Sequence, residues 1–224
     1  ASSSAERSAI GAITKRLSEK IATTAINIEL NPKVRLVRTN KEFGFQFSKL
    51  SNFTRTEHIP FAPDGFDVDE LFDYNYKHRT IDGYQYGKKI TNEELLALEC
   101  DFLIPAALGS AINEDNVDSL NCKIIIEAAN GPVTGEAADK LWKKKIAIIP
   151  DILTNAGGVT VSYFEWVQNL QQFKWPEDEI NQKLEQKMVA AFNEVYSVKQ
   201  NKNVPMRIAS FMVAIDRVSA AYDL

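Results

Sequence analysis

The sequence lacks the features that identify several classes of protein. No apolar run approaches the roughly 20 residues that a helix needs to cross a bilayer, so no membrane span is expected. No basic cluster with interleaved aromatic residues is present, and the net charge of −4 argues against nucleic acid as a partner, because its binding proteins usually carry a basic face. With 45% hydrophobic and 25% charged residues, the composition is typical of a soluble globular domain.

Cysteine is scarce as well. Cys100 and Cys122 are the two cysteines of the sequence, without CxxC spacing and without a flanking histidine, so a zinc site is not expected. Each stands at the head of an apolar, β-like run, where a small thiol packs well in a core. Two buried free thiols are consistent with a reducing compartment, either the cytoplasm or the mitochondrial matrix.

Residues 1–62 form an N-terminal segment of uncertain character. The chain begins with Ala1 rather than methionine, which favours a processed form or a fragment. Its Ala- and Ser-rich start, with several basic residues, is faintly like an organellar transit peptide. Helical spacing of apolar residues instead favours an ordinary amphipathic helix, through Ile10, Ile13, Leu17 and Ile21. A strand is predicted at Val34–Val37, and period-two alternation predicts another, through Phe43, Phe45 and Phe47.

A turn at Pro63-Asp64-Gly65 separates this segment from residues 63–224, where the pattern becomes regular. Asp67 with Glu70, and Thr91 with Glu94, have the spacing of capping boxes that open helices. The second of these helices is predicted to carry three leucines, Leu95, Leu96 and Leu98.

Three apolar runs alternate with helical stretches in the middle of the chain. They are Cys100–Ile104, Lys123–Glu127 and Ile146–Ile149. The predicted helices between them are Asn113–Leu120 and one that Thr134 caps. Runs of this kind indicate strands buried on both faces of a parallel sheet, so this region is predicted to be a βαβαβ unit with right-handed crossovers.

The C-terminal part is predicted to be a helical tail. One stripe of apolar residues at helical spacing runs through Ile180, Leu184, Met188, Phe192 and Val195. A final helix is predicted from Pro205, which suits a first turn, with its stripe at Ile208, Met212, Ile215 and Val218. The sequence therefore predicts an α/β fold whose parallel sheet is followed by long helices.

Candidate binding residues follow the three predicted strands, because ligands of open parallel sheets lie at the carboxyl ends of the strands. Ala106 and Ala107 follow the first strand, and their small side chains permit close approach by a flat ligand. Asn130 follows the second, and its amide can donate and accept hydrogen bonds to a ribose hydroxyl. The third leads to Asn155 and to Gly157-Gly158, whose backbone N–H groups at a helix start favour negative charge.

Each of these features also has an ordinary structural interpretation. Asn130-Gly131 is a common turn pair, Gly157-Gly158 is compatible with a flexible linker, and Asn155 with a helix cap. Ser162 is compatible with a hydroxyl on a helix surface. The functional interpretation gains weight because all three segments are expected at the same edge of the sheet.

Three segments resemble the glutamate dehydrogenase family in order and spacing. They are Cys100 to Ala107, Glu127 to Pro132, and Pro150 to Val159, the last followed by Ser162-Tyr163-Phe164-Glu165-Trp166. The likeness extends over residues 63–224. It implies an incomplete dinucleotide-binding domain with a partial Rossmann-like parallel sheet, flanking helices, a hinge helix after Gly158 and a helical tail.

The resemblance also implies an activity and a set of site residues. The family oxidatively deaminates glutamate to 2-oxoglutarate with NAD or NADP, and its members are commonly oligomers. By position, Ala106, Ala107, Asn130 and Asn155 are similar to cofactor-binding residues, with Asn155 similar to the one that orients the nicotinamide carboxamide. Val159 and Ser162 are similar to residues that receive the substrate's stem and distal carboxylate.

Two departures from the family pattern lead to the expectation that this chain is inactive alone. The family's catalytic lysine and aspartate belong to an N-terminal substrate domain without a counterpart here, so no catalytic residue is assigned. The Gly-rich pyrophosphate loop is also missing, because Gly44 stands alone and Phe43-Gly44-Phe45 is no G-x-G-x-x-G; Ser51-Asn52 is at most a poor match to the strand end after that loop.

Three hypotheses remain open at this point. The chain is a piece or a shortened form of a dehydrogenase that is active only when another chain supplies the rest. Alternatively, it is a non-catalytic binding or regulatory module that docks onto full-length subunits. In the third, residues 1–62 come from a mispredicted exon or a shifted frame joined to a dehydrogenase tail.

Overall fold

The computed structural model describes residues 35–37, 59–61, 68–79, 83–106 and 108–222. Several predictions lie outside these residues: the N-terminal amphipathic helix, the alternating strand at 43–47, the turn at 63–65 and the Asp67 cap. Along the chain, one compact unit gives way to a second between Asp151 and Ile152.

The first unit contains a four-stranded sheet. Its elements are β1 (Arg35–Val37), β2 (Ile59–Phe61), α1 (Val68–His78), β3 (Lys88–Ile90), α2 (Asn92–Leu96), β4 (Cys100–Ile104), a 3-10 helix (Val117–Ser119), β5 (Cys122–Ile126), α3 (Gly135–Lys143) and β6 (Ala147–Ile149). The strand order is β1-β4-β5-β6, with β4, β5 and β6 parallel and β1 antiparallel to β4. The predicted parallel sheet is confirmed. A separate antiparallel pair joins β2 and β3.

Strand β4 of the sheet buries consecutive residues. Phe102, Leu103 and Ile104 are all buried, which places apolar side chains on both faces of β4 because successive side chains alternate. A buried cluster surrounds the strands, formed by Cys100, Leu103, Ile112, Val117, Leu120, Cys122, Ile125, Val133, Ala137 and Leu141. The last two belong to α3, which begins where predicted because the Thr134 hydroxyl accepts a hydrogen bond from the Ala137 N–H.

Two predicted elements of this unit need correction. The capping box between Thr91 and Glu94 is present in both directions, but α2 ends at Leu96, so Leu98 lies beyond it. The predicted helix at 113–120 is instead a turn followed by the 3-10 helix. The reason is local: the Asn116 side chain accepts from the Asn113 N–H and donates to the Ala111 carbonyl, which offers the backbone an alternative to an α-helical ladder.

The second unit is helical and begins within α4 (Asp151–Thr154). Its helices are α5 (Ala156–Gln171), α6 (Glu177–Lys202) and α7 (Met206–Tyr222). Phe164 of α5 packs against Leu184 and Met188 of α6. The predicted stripe of α6 is confirmed as its buried face, because Leu184, Met188, Phe192 and Val195 are all buried.

The face that α7 buries differs from the predicted one. Its buried residues are Met206, Ala209, Ser210 and Val213, whereas Ile208, Ile215 and Val218 of the predicted stripe are exposed. α7 packs against α6, and its smaller side chains allow the close approach of the two helices. The helix starts after Asn203, whose φ of 52° ends α6 in a left-handed conformation that asparagine tolerates.

Both cysteines are free and buried, as predicted. They lie opposite each other at the starts of β4 and β5. Burial raises the pKa of the Cys100 thiol to about 12 and that of the Cys122 thiol to about 11. In the part of the chain that the structure describes, no helix combines the length and the apolar character that crossing a bilayer requires.

Candidate functional site

The candidate cofactor residues of the first unit lie at one edge of the sheet. β4, β5 and β6 are parallel neighbours, so their carboxyl ends meet at a common edge. Ala106 follows β4 and is buried, and Asn130 follows β5 and is exposed. Ala107, the remaining predicted residue after β4, lies outside the described residues.

Hydrogen bonds join the ends of β4 and β5 directly. The carbonyl oxygen of Pro105 accepts from the N–H groups of Ala128 and Ala129, at 3.1 and 3.0 Å. The Ser110 N–H donates to the Gly131 carbonyl at 2.8 Å. A β-carbon at Gly109 would lie 3.3 Å from the Asn130 carbonyl oxygen. The two loops therefore lie close together at Gly109, which has no side chain to separate them.

The ends of β5 and β6 are joined through two acidic residues. Oε2 of Glu127 accepts from the Asp151 N–H at 2.9 Å, and Oδ2 of Asp151 accepts from the Gly131 N–H at 2.7 Å. The Glu127 N–H donates to the Ile149 carbonyl at 3.0 Å. Sequence reasoning gave neither carboxyl a role, although an acidic residue at the end of a buried apolar strand is unusual enough to be a signal.

Asn155 precedes α5, in the second unit. It occupies the N-cap position, but its side chain makes no capping hydrogen bond, and its φ and ψ are −97° and 8°, which are not the extended values of a typical N-cap. The interpretation of Asn155 as an ordinary helix cap is therefore wrong, and its predicted contact with nicotinamide stays a prediction.

The glycine pair that follows is not a linker. Gly157 and Gly158 are both buried in the first turn of α5, so the flexible-linker interpretation is wrong. Because glycine has no side chain, neighbouring parts of the structure can pack closely against the helix start at these two positions.

The two candidate substrate residues share one face of α5. Val159 and Ser162 are both exposed, three residues apart, a spacing that places them on the same side of a helix. Tyr163 and Trp166 extend this exposed face. The buried Phe164 lies on the side that packs against α6.

The sheet edge carries one group that is suited to hydrogen bonding with a polar ligand. Ala106 is buried at the end of β4, and the turn after β5 carries the exposed Asn130. An amide offers a donor and an acceptor to ribose hydroxyls. Among the described residues, no group of three or more His, Cys, Asp and Glu could hold a metal ion.

Comparisons with known proteins extend over most of the chain. The sequence profile described as Glutamate/Leucine/Phenylalanine/Valine dehydrogenase matches residues 59–224. Glutamate dehydrogenase of Thermotoga maritima is 52% identical over 161 residues, which are 72% of this chain and 39% of that protein. The NAD-specific glutamate dehydrogenase of Staphylococcus aureus is 45% identical over 159 residues, 71% of this chain and 38% of that protein.

A solved structure of a glutamate dehydrogenase also matches this chain. The crystal structure of glutamate dehydrogenase from Peptoniphilus asaccharolyticus superposes with a TM-score of 0.62 and 32% sequence identity, covering 90% of this chain and 43% of that chain. This chain therefore spans about two fifths of the length of the curated relatives it matches.

Proposed function

We propose, because this chain belongs to the Glutamate/Leucine/Phenylalanine/Valine dehydrogenase family, that it is the nucleotide-binding portion of an enzyme that oxidatively deaminates glutamate to 2-oxoglutarate. NAD or NADP is the proposed cofactor. The observation that carries the proposal is the junction at the sheet edge, where the Pro105 carbonyl accepts from Ala128 and Ala129 and thereby holds the segment after β4 beside the turn that bears Asn130.

The proposed roles follow the residues at and beyond this edge. Ala106, Ala107, Asn130 and Asn155 bind the cofactor, with Asn130 at a ribose hydroxyl and Asn155 at the nicotinamide carboxamide. When bound, the nicotinamide supplies the acceptor for hydride from the substrate. In this proposal, residues 63–224 form the incomplete dinucleotide-binding domain, with its hinge helix α5 and the tail helices.

The substrate contacts are proposed for α5. Val159 and Ser162 share an exposed face of this helix, where an apolar side chain contacts the substrate's stem and a hydroxyl donates to its distal carboxylate. A hydrogen bond to a charged group contributes roughly 1.5–3 kcal/mol. The names of the Thermotoga maritima and Staphylococcus aureus relatives support glutamate as the substrate.

We propose further that these 224 residues alone bind the cofactor without turnover. The sequence contains no G-x-G-x-x-G, the loop whose backbone N–H groups hold the pyrophosphate in such folds. The family's catalytic lysine and aspartate have no counterpart here. General acid–base groups contribute on the order of 10²–10⁴ in rate, and substrate positioning contributes effective molarities of about 10⁵ M or more.

A turnover assay tests this function. The purified chain is incubated with glutamate and either NAD or NADP, and formation of reduced nicotinamide is followed by absorbance. The same assay is repeated after the chain is mixed with a separately expressed substrate domain of a relative such as the Thermotoga maritima enzyme. We expect no turnover alone and measurable turnover in the mixture. Robust turnover by this chain alone would overturn the proposal.

The working form is proposed to be a homo-oligomer or a complex with full-length subunits, in the cytoplasm or mitochondrial matrix. The exposed apolar side chains of α7, such as Ile215 and Val218, are consistent with further protein contacts. The alternative, a non-catalytic regulatory module, predicts that the mixture also stays inactive while this chain changes the activity of full-length subunits.

A further inference from the structure

The turn after β5 is closed by a carboxylate from the neighbouring strand end. The Gly131 N–H donates to Oδ2 of Asp151 at 2.7 Å, and Gly131 has a φ of +54°. This left-handed conformation is readily adopted by glycine, but glycine is also free to leave it. A side chain at the end of β6 therefore fixes the backbone of the turn that carries Asn130.

Asp151 is in turn held by a second acidic residue. Its N–H donates to Oε2 of Glu127 at 2.9 Å, and the Glu127 side chain is completely buried. The Glu127 N–H donates to the Ile149 carbonyl at 3.0 Å. Glu127 and Gly131 are four residues apart, so the hydrogen bonds and the chain close a ring between the end of β5, the end of β6 and the Asn130 turn.

The ring determines which chemical group the turn accepts. The Gly131 N–H already donates to Asp151, and the charge of that carboxylate opposes an approaching phosphate. A neutral group meets no such opposition, and Asn130 on the same turn is exposed and carries an amide, a group that can donate and accept hydrogen bonds. The turn therefore selects a hydroxyl-bearing, uncharged part of the ligand rather than a phosphate.

We propose that Asp151, anchored by Glu127, is a positioning residue for the dinucleotide: it holds the Asn130 turn in the conformation that binds the nicotinamide ribose. This inference rests on the proposed function for its ligand. The physical reason is preorganisation, because a turn that is already ordered loses less conformational entropy when the ligand binds.

The structural part of the proposal is tested on the Gly131 amide. In the isotope-labelled full chain, its hydrogen exchange is measured by NMR for the wild type, Asp151→Ala, Asp151→Asn and Asp139→Ala. Asp151→Asn keeps an oxygen acceptor, and Asp139→Ala removes an equal charge from an exposed position of α3. We expect about tenfold faster exchange in Asp151→Ala, which corresponds to about 1.4 kcal/mol, and nearly unchanged exchange in the other two variants. Unchanged exchange in Asp151→Ala would show that the Asp151 carboxylate does not hold the Gly131 N–H, and would overturn the structural part of the proposal.

Glu127 is tested with its conservative variant, because removal of a fully buried side chain endangers folding. Glu127→Gln keeps an oxygen that can accept from the Asp151 N–H. We expect Gly131 exchange in this variant within about threefold of the wild type, a change below 1 kcal/mol. Loss of Gly131 protection in Glu127→Gln, with a native far-ultraviolet circular dichroism spectrum, overturns the role of Glu127 as an anchor by hydrogen bonding.

The functional part is tested by titrating the same chains with NADH and with NADPH and following nicotinamide fluorescence. Asp151→Ala is expected to weaken binding about tenfold, and Asp151→Asn to restore it. Asp151→Ala should add little to Asn130→Ala, because residues that act through one contact are not additive. Additive losses overturn the positioning role. A wild-type chain that binds neither nucleotide overturns the proposed function and the ligand assignment. The Gly131 exchange experiment still tests independently whether Asp151 holds the turn.

Discussion

The Pro105 carbonyl oxygen accepts a hydrogen bond from the Ala129 N–H at 3.0 Å, which ties the end of β4 to the turn after β5. Because the same oxygen also accepts from Ala128, the two loops cannot separate without leaving a buried carbonyl unsatisfied, which costs roughly 1–3 kcal/mol. The candidate site of the first unit is thus part of the sheet's own hydrogen bonding.

Ser162→Ala is predicted to weaken substrate binding in a full-length dehydrogenase that carries this chain as its C-terminal part. Removing a hydrogen bond to the distal carboxylate is expected to raise the KM for glutamate roughly tenfold with a smaller effect on kcat. Steady-state kinetics measures both. Ser197→Ala, at an exposed position of α6, is the matched control, and equal KM values for the two variants would remove the proposed role of Ser162.

Gly158→Val is predicted to destabilise the helical unit. Gly158 is buried in the first turn of α5, so a branched side chain overpacks its surroundings at a cost of about 1–3 kcal/mol. Urea denaturation followed by circular dichroism measures the change. The control is Gly135→Val, because a β-carbon at Gly135 would meet nothing within 4 Å. Equal stability of the two variants would contradict the close packing at the start of α5.

Thr134→Ala is predicted to destabilise the first unit by about 1 kcal/mol, the usual contribution of an N-cap. The Thr134 hydroxyl accepts from the Ala137 N–H and donates to Oε1 of Glu114 at 2.5 Å. Thr134→Ser keeps both hydrogen bonds and should restore most of the stability in urea denaturation. A serine variant as unstable as the alanine variant would show that the methyl group, rather than the hydroxyl, matters.

The same contact predicts a pH dependence. The hydrogen bond from Thr134 lowers the pKa of Glu114 below its ordinary value of 4.5. A lowered carboxyl pKa in the folded state stabilises the fold above that ordinary value, and the contribution is lost as the pH falls through the lowered pKa. Thr134→Ala should therefore show a smaller loss of stability on acidification than the wild type.

The cysteines are predicted to be unreactive in the folded chain. Burial raises the pKa of the Cys100 thiol from 9.0 to about 12 and that of the Cys122 thiol to about 11, so at neutral pH the reactive thiolate is scarce. Alkylation by iodoacetamide should be slow and should accelerate in urea. The raised pKa values also predict a pH dependence of stability. The contribution of the two buried, neutral thiols to the stability of the fold is fully present below about pH 9 and is lost as the pH rises toward 11–12. Rapid alkylation of the native chain would contradict the burial of both thiols.

The sequence predicted those elements whose cause is local. Runs such as Cys100–Ile104 are short and apolar, which is typical of strands buried in a parallel sheet. The Thr91–Glu94 capping box depends on residues three positions apart. The parallel direction of β4, β5 and β6 followed from the alternation of apolar runs with crossovers. The dehydrogenase likeness of residues 63–224 was carried by the same strand ends.

The sequence did not predict features that depend on contacts between residues far apart in the chain. Apolar spacing alone could not tell which side of α7 packs, because this helix has an apolar stripe at Met206, Ala209 and Val213 and another at Ile208, Ile215 and Val218. The ring through Glu127 and Asp151 joins residues 24 positions apart, so no local pattern contains it. The roles of the site residues themselves stay predictions.

The most direct test of the central claim is a titration of the purified chain with NADH and NADPH, followed by nicotinamide fluorescence. The wild type is compared with Asn130→Ala and with Asn121→Ala, a control at the opposite end of β5 whose exposed side chain lies away from the site. The account predicts saturable binding by the wild type and the control, and binding roughly tenfold weaker in Asn130→Ala. The absence of saturable binding to either nucleotide, or equal affinities for all three chains, would contradict it.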